Sequence, residues 1–122
     1  MRFTQDSSSC THVIRGYGKG ELRIDDTPYR GAVLVSALTV HGDSEIHDFI
    51  ALIAIDPLRI LALDPELVLL GTGPRQLFPA ASFGAQFLQL GIGFEVMDTG
   101  AACRTFNVLV AERRRVAAWL LA

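Results

Sequence analysis

Short β-prone runs punctuated by glycine and turn pairs occupy the stretch from His12 to Ser36: Val13-Ile14-Arg15, Glu21-Leu22-Arg23-Ile24, a turn at Asp25-Asp26-Thr27, then Ala32-Val33-Leu34-Val35. This rhythm predicts strands joined by tight turns. Gly16-Tyr17-Gly18-Lys19-Gly20 has the glycine density of a phosphate loop, yet a strand-like run follows it. No helix N-terminus would face a phosphate there, so a hairpin turn or bulge is the expected use.

Between Thr39 and Ile55 the pattern is ambiguous. Ser44-Glu45-Ile46-His47-Asp48 could cap a helix, but Phe49-Ile50-Ala51-Leu52-Ile53-Ala54-Ile55 is a continuous apolar run that fits a buried strand and a buried helix equally well. Asp56-Pro57 then predicts a short helix from Pro57 to Leu63, because aspartate caps free amides and proline tolerates the first helical position. Asp64-Pro65 ends it.

The second half alternates strand and helix. Leu67-Val68-Leu69-Leu70 has no polar alternation, the mark of a strand covered on both faces, and Gly71-Thr72-Gly73-Pro74 stops it. A helix is predicted from Ala80 to Leu90 with Phe83, Phe87, Leu88 and Leu90 on its apolar face and Gly91 at its exit. Gly93 to Met97 reads as the next strand. Asp98-Thr99 caps a helix in which Ala102, Cys103, Phe106, Leu109 and Val110 recur at helical spacing. Val116 to Leu121 is a terminal strand or a continuation of that helix. Sequential parallel strands joined by helical crossovers satisfy this order. The expected architecture is α/β in three layers: a central mixed, mostly parallel sheet flanked by helices, with an additional N-terminal β layer.

Composition narrows the picture. A chain of 122 residues, half of them hydrophobic and 20% charged, fits one domain over 1–122, with 1–11 as a polar lead-in. The net charge of -2 supplies no broad positive field, which argues against nucleic acid as a partner. Arg113-Arg114-Arg115 reads as a solvated helix end whose cations complement the helix dipole. Cys10 and Cys103 have neither the density nor the spacing of a disulfide framework or zinc site, and the N-terminus has no apolar signal core, so a cytoplasmic location is expected. The greasiest stretch, Phe49 to Leu70, is interrupted by Asp56, Arg59, Asp64 and Glu66. Each charge at bilayer depth would cost roughly 2.5–3.5 kcal/mol, so the segment is read as interior and not membrane-spanning.

Ligands in open α/β sheets bind beyond the carboxyl ends of strands. Two such ends are distinctive: Gly71-Thr72-Gly73-Pro74-Arg75, where glycines let amides approach a ligand and Arg75 could pair with an anion, and Asp98-Thr99, which opens the helix carrying Cys103 and Arg104. If their strands are adjacent and parallel, the loops line one cleft. The plainer use of the same residues is a cap and a turn. Cys103 near a helix N-terminus beside Arg104 has the setting of an activated thiol, but it also falls on the apolar stripe, where cysteine acts as a small hydrophobe. His12, His41 and His47 find no convincing partners, and no metal, cofactor or nucleophile motif occurs.

Gly71-Thr72-Gly73 after Leu67-Val68-Leu69-Leu70, Gly91 through Asp98-Thr99, and Ala102-Cys103-Arg104-Thr105-Phe106-Asn107-Val108-Leu109 resemble a small family of bacterial, archaeal and mitochondrial proteins that includes an assembly factor of the NADH-ubiquinone oxidoreductase, complex I. Tyr17-x-x-Gly20 through Tyr29 and Val33-Leu34-Val35 resemble it too. Between Thr39 and Ile55 the likeness is looser, since the family's tryptophan-bearing extended segment is missing. The resemblance implies the three-layer fold above and makes Gly71, Thr72, Gly73, Asp98, Thr99, Cys103 and Arg104 the hallmark loop residues. For function it implies a non-enzymatic interaction or assembly factor with protein partners, belonging to a membrane-associated complex. A contrasting reading is a small-molecule binder or enzyme with an anion held by Arg75 or Arg104; a third is a homo-oligomer built on an exposed edge strand.

Overall fold

The computed structural model describes residues 11–122, so the expected lead-in and Cys10 lie outside the described residues, Thr11 excepted. The chain begins with a meander: β1 (Ile14–Gly18), β2 (Glu21–Ile24) and β3 (Thr27–Tyr29) form a three-stranded antiparallel sheet. The glycine-rich segment is the β1–β2 hairpin. Its two loop residues, Lys19 and Gly20, have φ of 55° and 75°, as a type I′ turn requires.

The second sheet has the order β5-β4-β8-β6-β7, built from β4 (Ala32–Ser36), β5 (Val40–Asp43), β6 (Leu67–Gly71), β7 (Gly93–Met97) and β8 (Val116–Leu121). β4 is antiparallel to both its neighbours, whereas β8, β6 and β7 are mutually parallel. Four of the five strands therefore point the same way, but two of the four pairings are antiparallel, so the sheet is mixed as expected and evenly divided rather than mostly parallel. The strand order departs from a simple sequential walk: β8 does not add beyond β7 but returns to the middle of the sheet, between β4 and β6. Its sequence explains the preference. All six residues of β8 are buried, and only a central strand covers both faces of Val-Ala-Ala-Trp-Leu-Leu.

The ambiguous apolar run resolves as a helix, α1 (Phe49–Ile53), because Asp48 accepts the Ala51 amide at 2.8 Å as its N-cap. Asp56 and Pro57 then start α2 (Pro57–Leu61) as expected. α3 (Ala81–Leu88) follows β6, and α4 (Thr99–Ala111) follows β7. One sheet face is covered by α1, α2 and α3, with Leu52, Ile60, Phe87 and Trp119 fully buried among them. The Trp119 indole N–H donates to Leu52 C=O at 2.6 Å, so its polar atom is satisfied in the interior. The opposite face is covered by α4 and the N-terminal sheet, with Leu22, Ile24, Phe106 and Leu120 between them. Burying each such side chain contributes about 1.5–3 kcal/mol.

Two helices end in the same motif with different residues. At the end of α3 the Ile92 and Gly91 amides donate to Phe87 and Leu88 carbonyls, and Gly91 takes φ 77°. At the end of α4 the Arg114 and Arg113 amides donate to Leu109 and Val110 carbonyls, and Arg113 takes φ 63°. The left-handed position of this Schellman pattern usually holds glycine, and a residue with a Cβ costs about 1–2 kcal/mol there.

Candidate functional site

β6 and β7 run side by side in register from Leu67↔Gly93 to Gly71↔Met97, so the two distinctive loops leave the same edge of the sheet. The tips meet. Thr72 N–H donates to Met97 C=O at 3.0 Å, and Thr99 N–H to Gly73 C=O at 2.8 Å. Gly73 N–H donates to Thr99 Oγ1 at 2.7 Å, and that hydroxyl donates to Leu121 C=O at 2.7 Å. One fully buried threonine thus ties the ends of β6 and β8 to the start of α4. Both glycines have a steric reason. A Cβ on Gly71 would stand 2.7 Å from Leu120 Cδ2 and 3.2 Å from Thr99 Cα, and Gly73 has φ 98°.

Thr72 is equally spent on its own loop. Its hydroxyl accepts the Leu77 amide at 3.0 Å and donates to Arg75 C=O at 2.6 Å, with Met97 C=O at 3.2 Å as a second acceptor. Asp98 caps α4 by accepting the Ala101 amide at 2.9 Å. The Gly73 and Thr99 amides, which glycine loops can offer to a ligand, are therefore bonded within the junction. Arg75 and Arg104 stay exposed at its margin. Cys103 is buried on the inner face of α4, and that burial pushes its thiol up to about 12 against the smaller opposing pull of Arg104. At neutral pH it is a protonated, apolar filler. Tyr17 reaches this corner from β1, its ring 3.6 Å from where a Gly100 Cβ would stand. Burial raises the phenol pKa, partly offset by the neighbouring Thr99 side chain.

The hallmark residues are thus assembled at one corner as a scaffold joint, and a family profile described as "Protein of unknown function (DUF498/DUF598)" matches residues 14–121. The chain belongs to this family. Among DUF498/DUF598 relatives, a Francisella tularensis protein named "13 kDa major membrane protein" is 33% identical over 117 residues, 95% of either chain. A zebrafish (Danio rerio) protein named NADH dehydrogenase (ubiquinone) 1 alpha subcomplex assembly factor 3 is 32% identical over 119 residues, 96% of this chain and 68% of its own length. The crystal structure of a Bordetella parapertussis protein superposes with a TM-score of 0.82 at 28% identity, covering 92% of this chain and 96% of that one. Among the described residues, no helix is long and apolar enough to cross a membrane.

Two features of this DUF498/DUF598 chain escaped the sequence reading. Asn107, within the family-like run 102–109, holds the backbone of Ile14 at 2.9 and 2.8 Å and so docks the N-terminal sheet onto α4. At the opposite end of the main sheet, a cleft of ≈ 900 Å³ opens beside the amino-terminal end of β8. Its walls include Leu38, Leu63, Val110 and the three arginines 113–115. The arginine run was its signal, but the apolar wall comes from segments distant in sequence.

Proposed function

We propose that this protein is a non-enzymatic interaction factor that helps assemble a membrane-associated complex, with the whole chain acting as one domain from the cytoplasmic side. The observation that carries this reading is the likeness to an assembly factor along 96% of the chain. It is supported by how the hallmark residues are used. Thr72, Asp98 and Thr99 bond to backbone, and Cys103 is buried, which suits a framework better than a reaction centre. Meanwhile Leu38, Ile50, Leu58, Phe78 and Leu90 are all more than 60% exposed, apolar surface that a protein partner would cover. Arg75 and Arg104 are the members of the loop corner left to meet a partner, which is a protein and not nucleic acid.

The test is affinity purification of the full chain from its own cells after in-cell cross-linking, with mass spectrometry of what is recovered. The reading expects subunits of a membrane complex or of its insertion machinery. Recovery of this chain alone, or of soluble metabolic enzymes only, contradicts it.

A further inference from the structure

The cleft at the far end of the sheet combines three properties. Its volume of ≈ 900 Å³ lies within the range of about 300–1,000 Å³ typical of ligand sites. Leu38, Leu63 and Val110 make part of its wall apolar, with Leu38 71% exposed. Its rim carries Arg113, Arg114 and Arg115. Arg114 Nε lies 3.1 Å from Glu66 Oε2, and Arg115 Nε donates to Asp64 C=O at 3.0 Å. Arg113 has no ion pair among the described residues.

Helix-dipole complementarity explains a cation near the end of α4. It does not explain why Arg113 occupies the left-handed position that Gly91 fills at the end of α3, since Arg114 and Arg115 already supply positive charge. Lys19, Asp25 and Asp64 also take a left-handed φ, but Arg113 combines that backbone cost with a side chain that lines the cleft and has no ion pair among the described residues, which points to a use for it.

We infer that this cleft docks an acidic segment of a partner protein, with an aliphatic or aromatic side chain against Leu38 and Leu63 and a carboxylate on Arg113, since Arg114 and Arg115 are already paired with Glu66 and Asp64. The inference rests on the proposed interaction role and names the surface and the chemistry of the partner. Carboxylates match guanidinium in geometry as well as charge. The partner segment is acidic because the unpaired rim charge is positive, and apolar in part because the wall is.

The experiment is fluorescence anisotropy of the full chain with a labelled peptide alternating Glu and Leu and ending in Phe, beside its Gln-for-Glu counterpart and phosphatidylglycerol vesicles. The acidic peptide should bind saturably, at least tenfold more tightly than the Gln peptide, and weaken as salt rises from 50 to 300 mM. Arg113→Gly separates binding from folding. It relieves the left-handed strain, so its melting temperature should hold or rise while affinity falls about tenfold, and Leu38→Ser should weaken binding in a folded protein as well. Equal binding of both peptides, no binding of either, binding to vesicles alone, or full affinity in Arg113→Gly each overturns the inference. If membrane-complex subunits still co-purify with Arg113→Gly at wild-type yield, the cleft assignment fails while the interaction role stands.

Discussion

Asn107 holds Ile14 through both amide atoms: Oδ1 accepts the Ile14 N–H at 2.9 Å and Nδ2 donates to the Ile14 C=O at 2.8 Å. The two residues are 93 positions apart, and this clamp joins the N-terminal sheet to α4. Asn107→Leu leaves an amide and a carbonyl of the part-buried strand without partners, at a cost of about 1–3 kcal/mol for each group not reached by water. Urea denaturation should show a lower midpoint. Limited proteolysis should cut the β1–β2 hairpin first, and an unchanged midpoint would contradict the clamp.

Thr99 is the joint of the loop corner, and its hydroxyl rather than its methyl group does the joining. Thr99→Val conserves shape but orphans the Gly73 N–H and the Leu121 C=O in the interior, about 1–3 kcal/mol each. Thr99→Ser should retain most of the stability. Thermal unfolding of the pair distinguishes hydrogen bonding from packing, since a packing role would rank Val above Ser.

Much of this corner was legible in sequence. The apolar run Leu67 to Leu70 and the strand Gly93 to Met97 announced parallel neighbours, and parallel neighbours bring their following loops to one edge. Asp98 was readable as a cap because capping is local. Three things were not legible, each for a physical reason. The run Phe49 to Ile55 carries no periodicity, so only the Asp48 cap geometry decides for a helix. The all-apolar run Val116 to Leu121 asks for cover on both faces, but so does Leu67 to Leu70, so which central slot β8 takes, between β4 and β6, is a tertiary choice. Asn107 acts on a residue near the other end of the chain, and nothing adjacent to it in sequence signals that partner.

Acid should loosen the molecule at two surface carboxylates. Asp25 is held below the usual carboxylate range chiefly by its 2.7 Å hydrogen bond with His12, with the Val13 amide adding to it. Glu66 is held low chiefly by the Arg115 amide at 2.9 Å, with Arg114 adding to it. Both folded-state pKa values lie below the unfolded ones, so the stabilisation is present above about pH 4–5 and lost as pH falls through the folded values. Melting temperature should therefore decline below pH 5, and Asp25→Asn, which suits the left-handed φ of 55° at that position, should flatten part of the decline. A variant whose decline matches the wild type would remove Asp25 from the account.

Cys103 should behave as an interior side chain. With its thiol pushed up to about 12 by burial, Cys103 stays protonated at pH 8. In a Cys10→Ser background, iodoacetamide should label the native protein only at the rate of unfolding, and promptly in denaturant. Rapid native labelling would reopen the case for a reactive thiol.

The assembly role is tested most directly by deleting the gene and resolving the cell's membrane complexes on a native gel. The account predicts that one complex is lost or stalls as a smaller species, and that the wild-type chain restores it. Every membrane complex reaching full size and normal abundance without the protein would contradict it.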